Sequence, residues 1–163
     1  MTSAMRIYWL AVLLSVLAAC ASGPTFDTSG VDRALTPRRV AAQVQDAGGK
    51  RVLWGGVILA TTNLRERTDI EVLAYPLDAD NRPRRDDDPL GRFIIEQAGY
   101  LEAREFGPGK LITVSGTLLS PQSSKIGDAE YLYPVVQASQ LKLWKERAGT
   151  PRLHFGIGIG IHN

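Results

Sequence analysis

Three features of the sequence predict a mainly β fold. Leu111 to Leu119 alternates at period 2, with Ile112, Val114 and Leu118 on one face and Thr113, Ser115 and Thr117 on the other. Val52 to Thr62 is apolar and rich in β-branched residues, which suit the pleated surface of a strand. Gly55-Gly56 and Gly116 fall inside these runs, where a missing side chain permits the sharp coiling that closes a sheet on itself. Five strands with a short helix between the third and fourth is the element order of an OB-type barrel, so a single OB-like five-stranded β-barrel with short helices is expected. An open, sandwich-like sheet is the alternative.

Taken in order, Thr36-Pro37 starts a short helix, with Thr at the cap and Pro at the first helical position. Val40, Ala41 and Val44 share its apolar face, and Gly48-Gly49 ends it. Val52 to Thr62 is the first strand. The polar connection Asn63 to Arg67 suits a hairpin into Thr68 to Tyr75, where Ile70, Val72 and Ala74 face one way and Asp69 and Glu71 the other. Pro76 to Pro89, crowded with Asp, Asn, Arg and Pro, reads as a long surface loop. Gly91 to Glu96 is the third strand. Gln97 to Phe106 has helical spacing at Leu101 and Glu105, is closed by Gly107-Pro108-Gly109, and reads as a short helix or turn. Leu111 to Leu119 is the fourth strand, Pro121 to Asp128 a loop, and Tyr131 to Trp144 a fifth strand with a break at Pro134. Ile70, Val72, Ile112, Val114 and Leu118 should lie inside, with Thr113 and Thr117 comparatively exposed.

The N-terminus predicts where the protein resides. Arg6 supplies a positive charge, Ile7 to Ala18 an apolar stretch, and Leu17-Ala18-Ala19-Cys20 small residues leading to the only cysteine. This pattern reads as a lipobox. Residues 1–19 are the expected signal peptide, cut between Ala19 and Cys20, and Cys20 is the expected lipidation site, carrying a diacylglycerol thioether and an N-acyl chain. No other cofactor is expected. Two or three acyl chains on one residue hold far more firmly than one, because each buried methylene contributes about 0.8 kcal/mol. Ala21 stands where Asp would favour retention at the inner membrane, so release to the outer membrane is expected. Residues 20–34 form the expected lipidated tether, 35–144 the barrel domain, and 145–163 a basic spacer and Gly-Ile tail.

Composition narrows function by exclusion. Cys20 onward has the length of one ordinary domain, with about 18 basic and 17 acidic residues, so no field of one sign steers it toward nucleic acid. His154 and His162 are the only histidines and both stand in the tail, which leaves a histidine-assisted nucleophile no centre in the domain. Asp86, Asp87 and Asp88 lack the alternating spacing of a calcium loop and adjoin Arg84-Arg85, so no metal site is assigned. Ser120, Ser123 and Ser124 have no base nearby and no nucleophile elbow surrounds them, so no catalytic residue is assigned either. Trp54, Tyr75, Tyr131, Tyr133 and Trp144 sit on or beside strands. Core packing accounts for Trp54 most simply, while Tyr131, Tyr133 and Trp144 are candidates for a ligand-facing surface. Lys125-Ile126-Gly127-Asp128 is the most motif-like loop. In the tail, Phe155 to Ile161 alternates bulky residues with glycine and should dock on a sheet edge of its own domain, of a partner, or on the bilayer.

Several ordered strings are shared with one known family: VLWGGVI at Val52 to Ile58, EVLAYPLD at Glu71 to Asp78, GRF at Gly91 to Phe93 and KIGDAEYLYPVV at Lys125 to Val136. Leu35-Thr36-Pro37 and Leu111 to Gly116 belong to the same set. On these residues the chain resembles the Slp family of outer-membrane lipoproteins over nearly everything from Cys20 to Trp144. The resemblance implies a lipoprotein on the periplasmic face of the outer membrane, in a family named for induction during starvation and stationary phase, with no established enzymatic activity. The expected partners are outer-membrane lipid and an envelope protein or glycan. A non-enzymatic role in envelope integrity under starvation or stress is the leading expectation, and a small-ligand or glycan-binding module is the alternative.

Overall fold

The computed structural model describes residues 26–43, 48–126 and 129–145. The signal peptide with its cleavage point at Ala19 and Cys20, Val44, Gly127-Asp128 and the Gly-Ile tail lie outside the described residues. One helix and seven strands are described: α1 (Pro37–Ala42), β1 (Arg51–Asn63), β2 (Arg67–Ala74), β3 (Gly91–Ala98), β4 (Leu111–Leu118), β5 (Gln122–Ile126), β6 (Ala129–Tyr133) and β7 (Val135–Trp144). Five strands close a barrel in the order β1-β2-β3-β7-β4, and β5 and β6 form a separate ribbon.

Closure depends on β1, which is long enough to serve two neighbours. Its first half pairs with β4 and its second half with β2, both antiparallel, and a bulge between Ile58 and Ala60 turns it from one to the other. Gly56 is shared by both ladders, and a Cβ there would collide with the Leu73 carbonyl oxygen. Gly116 plays the same part beside the bulge between β4 and β7, where a Cβ would run into the Gln137 carbonyl. The barrel is completed by a short parallel pairing of Ile94–Glu96 in β3 with Val135–Gln137 in β7. The expected OB-like barrel and the coiling role of these glycines are what the structure shows.

Inside, Phe93 meets Trp54 edge-on with ring centroids 5.2 Å apart, and Val52, Ile58, Ile70, Val72, Ile95, Ile112, Val114 and Val136 fill the remaining space. Trp54 is a core residue. Its indole N–H donates to the Leu35 carbonyl at 2.9 Å, which fastens the segment leading into α1 across that end of the barrel. Thr36 caps α1 by accepting from the Arg39 N–H.

Two expectations are corrected and a third is narrowed. Of the short helix or turn expected over Gln97 to Phe106, the turn forms and the helix does not: β3 runs on to Ala98 opposite Arg67, and what remains before Gly107-Pro108 makes a single turn in which the Glu105 and Phe106 N–H groups donate to the Glu102 carbonyl. Pro121 to Asp128 is not merely a loop, because Gln122–Ile126 pairs with Ala129–Tyr133. The polar sequence QSSKI forms a ribbon outside the barrel, so it carries no apolar alternation to betray it. Thr113 is fully buried rather than exposed, although it does point away from the core, while Thr117 is half-buried. Other parts of the chain cover Thr113 from outside. Pro134 does break the last strand, separating β6 from β7.

Candidate functional site

The outer wall of the barrel carries two covers, and they differ in chemistry. The first is the β5–β6 ribbon, which folds back over β2 and β3. Glu71 on β2 and Arg92 on β3 form an ion pair of 2.9 Å on the outward face, and the Tyr133 hydroxyl donates to the same Glu71 oxygen at 2.8 Å. Tyr133 is only 4% exposed. Burial, and then its bond to Glu71, pushes its hydroxyl above the usual tyrosine pKa, while the Glu71 carboxylate holds the Arg92 guanidinium more firmly protonated. Tyr131 stacks edge-on against Tyr133 at 4.8 Å and accepts from the Arg92 N–H at 3.2 Å. Further along the face, Gln122 donates to Glu96 and Arg67 bridges Glu96 and Asp69.

The second cover is the loop from Pro76 to Pro89. Its fold begins at Asp78, whose carboxylate accepts from the N–H groups of Asp80 and Arg82, both at 2.9 Å, while Leu77 and Pro83 form a bridge across the turn. Asn81 takes a left-handed conformation, φ 62°, a role its short polar side chain tolerates. The turn presses on β1 and β4. The Thr113 hydroxyl donates to the Asn81 carbonyl at 2.8 Å and accepts from the Trp144 indole N–H at 2.9 Å. Trp144 in turn has the Lys142 ammonium 3.8 Å and the Arg82 guanidinium 5.3 Å from its ring centroid. Between this loop and the end of β7 lies a cleft of about 660 Å³, walled by Asp78, Arg82, Arg84, Asp87, Leu111 and Trp144. Its volume is within the range of ligand pockets, although its wall is unusually polar. Arg84 and Asp87 are ion-paired at 2.5 Å.

The structure thus brings Tyr131 and Tyr133 together and places Trp144 at the far end of β7 in a different environment. Tyr133 faces Glu71 rather than open solvent, and Trp144 already holds two cations near its ring. Of the candidate residues, Tyr131 and Trp144 remain half-buried. Reading the sequence missed Glu71, Arg92, Asp78 and Thr113, the residues that hold the covers in place. Three strings that carried the resemblance meet physically here: Glu71 from EVLAYPLD, Arg92 from GRF and Tyr133 from KIGDAEYLYPVV. Among the described residues no three metal-ligating side chains converge, and no buried side-chain polar atom lacks a partner.

Fold and surface together define a small OB-like barrel whose outer wall is closed by a ribbon on one side and a charged loop on the other. The chain belongs to the outer membrane lipoprotein Slp family, whose model matches residues 17–156. It is 36% identical over 108 residues to an uncharacterised protein of Haemophilus influenzae, an alignment covering 66% of this chain and 58% of that protein. It is 30% identical over 113 residues to the uncharacterised lipoprotein YeaY of Escherichia coli, covering 67% of this chain and 58% of that one. The outer membrane protein Slp of Escherichia coli is 25% identical over 143 residues, covering 84% and 75%. The chain therefore spans less than two thirds of the first two relatives' lengths. No solved structure matches it.

Proposed function

We propose that this outer-membrane lipoprotein is anchored by lipid on Cys20, holds its barrel on the periplasmic side, and acts by binding an envelope partner rather than by catalysis. The observation that carries the anchor is that the family match begins at Leu17, so Leu17-Ala18-Ala19-Cys20 lies within the region shared with a lipoprotein family. A barrel whose outer faces present ion pairs and aromatic rings, and whose candidate groups are already bonded to one another, supports binding over chemistry. The role is support of envelope integrity under starvation or stress. Neither a cofactor beyond the lipid nor a nucleic-acid partner has a place in this reading.

The test joins Cys20→Ser with labelled fatty acid and membrane fractionation. The wild-type protein should take up label and sediment with outer membranes, and the variant should do neither. Label on the Cys20→Ser protein would overturn the anchor. Crosslinking in stationary-phase envelopes should then capture a partner through the barrel.

A second reading, a small-ligand or glycan-binding module, is favoured by the cleft beside Trp144. Titration of envelope glycans against intrinsic fluorescence, repeated with Trp144→Phe, tests it: saturable quenching lost in the variant supports the cleft, and quenching retained there contradicts it.

A further inference from the structure

The first described residues are already fastened to the barrel. The Asp27 carboxylate pairs with Arg51 at 3.2 Å, the Asp27 N–H donates to the Gln140 side chain at 2.8 Å, and Val31 bridges to Arg51. From this clasp the chain runs beside β1 until the Leu35 carbonyl receives the Trp54 indole, three residues further along the strand. That advance is about 10 Å. On the other side of the clasp, the stretch from Cys20 to Asp27 reaches at most about 25 Å even when fully extended. A domain on so short a leash keeps one particular end near whatever holds Cys20.

That end is basic. Arg33, Arg38 and Arg39 are exposed, as is Lys50 just before β1. Arg38 donates to the Pro89 carbonyl at 2.7 Å and Arg39 to the Ala34 carbonyl at 3.1 Å, contacts that orient both guanidinium groups without neutralising them. Among the described residues, the acids on the touching segments are Asp32, which caps its own turn, Asp88 beside Pro89, and Glu130 on β6, the strand that packs near α1. Among the described residues four cations therefore stand against three carboxylates, and the Arg51 charge is already met by Asp27. We propose that Arg33, Arg38, Arg39 and Lys50 form the face that the domain turns to the membrane, and that they take the anionic headgroups of phospholipids. This rests on the Cys20 anchor. The anchor supplies residence, and the basic face supplies orientation, holding the β3–β4 end of the barrel away from the bilayer.

Because Cys20 is the only cysteine and is consumed by lipid, a cysteine introduced elsewhere is a unique thiol for a fluorophore. The mature lipoprotein, labelled at Ala42→Cys beside the basic face or at Arg104→Cys beyond the end of β3, is placed in phosphatidylcholine vesicles containing a headgroup quencher, with and without phosphatidylglycerol. Phosphatidylglycerol should raise quenching at position 42 and leave position 104 low. Raising salt from about 0.01 M to about 1 M, which shortens the Debye length from about 30 Å to about 3 Å, should remove the difference. Changing Arg33, Arg38 and Arg39 together to Gln should lower position 42 to its level in phosphatidylcholine alone, and changing all three to Lys should preserve it. Equal quenching at both positions, or no response to the three Gln changes, overturns the basic face. A protein that fails to float with vesicles and lacks lipid mass on Cys20 overturns the anchor instead.

Discussion

The two covers of the barrel's outer wall solve the same problem with opposite chemistry. Under the β5–β6 ribbon, Glu71 is met by both Arg92 and Tyr133, and the tyrosine is almost wholly buried. Under the Pro76–Pro89 loop, the buried bonds are neutral, from Thr113 to Asn81 and Trp144, and charged groups are kept to the rim of the cleft. The ribbon side is held by an ion pair and a ring, whereas the loop side borders a cleft of about 660 Å³. Side-chain alternation decides which residues point outward, but a second layer decides whether outward means solvent.

The largest effect should come from breaking the barrel on which both covers rest. Gly56→Val or Gly116→Val sets a side chain against a carbonyl oxygen of the neighbouring strand, and should destabilise by more than about 4 kcal/mol or prevent folding. Denaturant unfolding or loss of soluble expression reads this. Phe93→Ala should cost about 3–5 kcal/mol and disturb both faces equally.

The covers can then be separated. Thr113→Val keeps shape but leaves the Trp144 indole N–H and the Asn81 carbonyl without their bonds, at about 1–3 kcal/mol. Thr117→Val, on the same strand face but only half-buried, should stay within about 0.5 kcal/mol. Equal effects of the two changes would erase the distinction between covered and open outer wall. Tyr133→Phe should cost about 1–2 kcal/mol, and hydrogen exchange should locate the loss in the ribbon rather than the loop.

The smallest effect concerns the N-terminal clasp. Hydrogen bonds from Ser29, with Arg51 beside them, lower the Asp27 pKa to about 2. A carboxyl lowered on folding adds stability above its unfolded value, near 3.8, and loses it as pH falls through about 2. NMR should therefore show the Ser29 amide shifting with a midpoint near pH 2 while Ile112 and Val114 are unchanged, and Asp27→Asn should abolish the titration.

Much of this was legible in the residues. Period-2 alternation in β2 and β4 placed Ile70, Val72, Ile112, Val114 and Leu118 inside, and Gly55-Gly56 and Gly116 marked the coiling points, because these patterns are set by the core. Thr113 was misjudged because its burial depends on Asn81 and Trp144, each about 31 or 32 residues away along the chain. A lone Glu71 on the polar side of a strand is indistinguishable by sequence from a solvated one. The ribbon was hidden because QSSKI is mostly polar and offers no apolar alternation. Tyr131 and Tyr133 were legible as an aromatic pair, but their inward direction was not.

Solvent paramagnetic relaxation of the mature protein tests the unequal closure most directly. The Thr113 methyl and the Tyr133 ring should be as protected as Ile112, with Thr117 and the Trp144 ring edge relaxed by the probe. A Thr113 methyl relaxed as fast as that of Thr117, or a Tyr133 ring as accessible as exposed Tyr100, would contradict it.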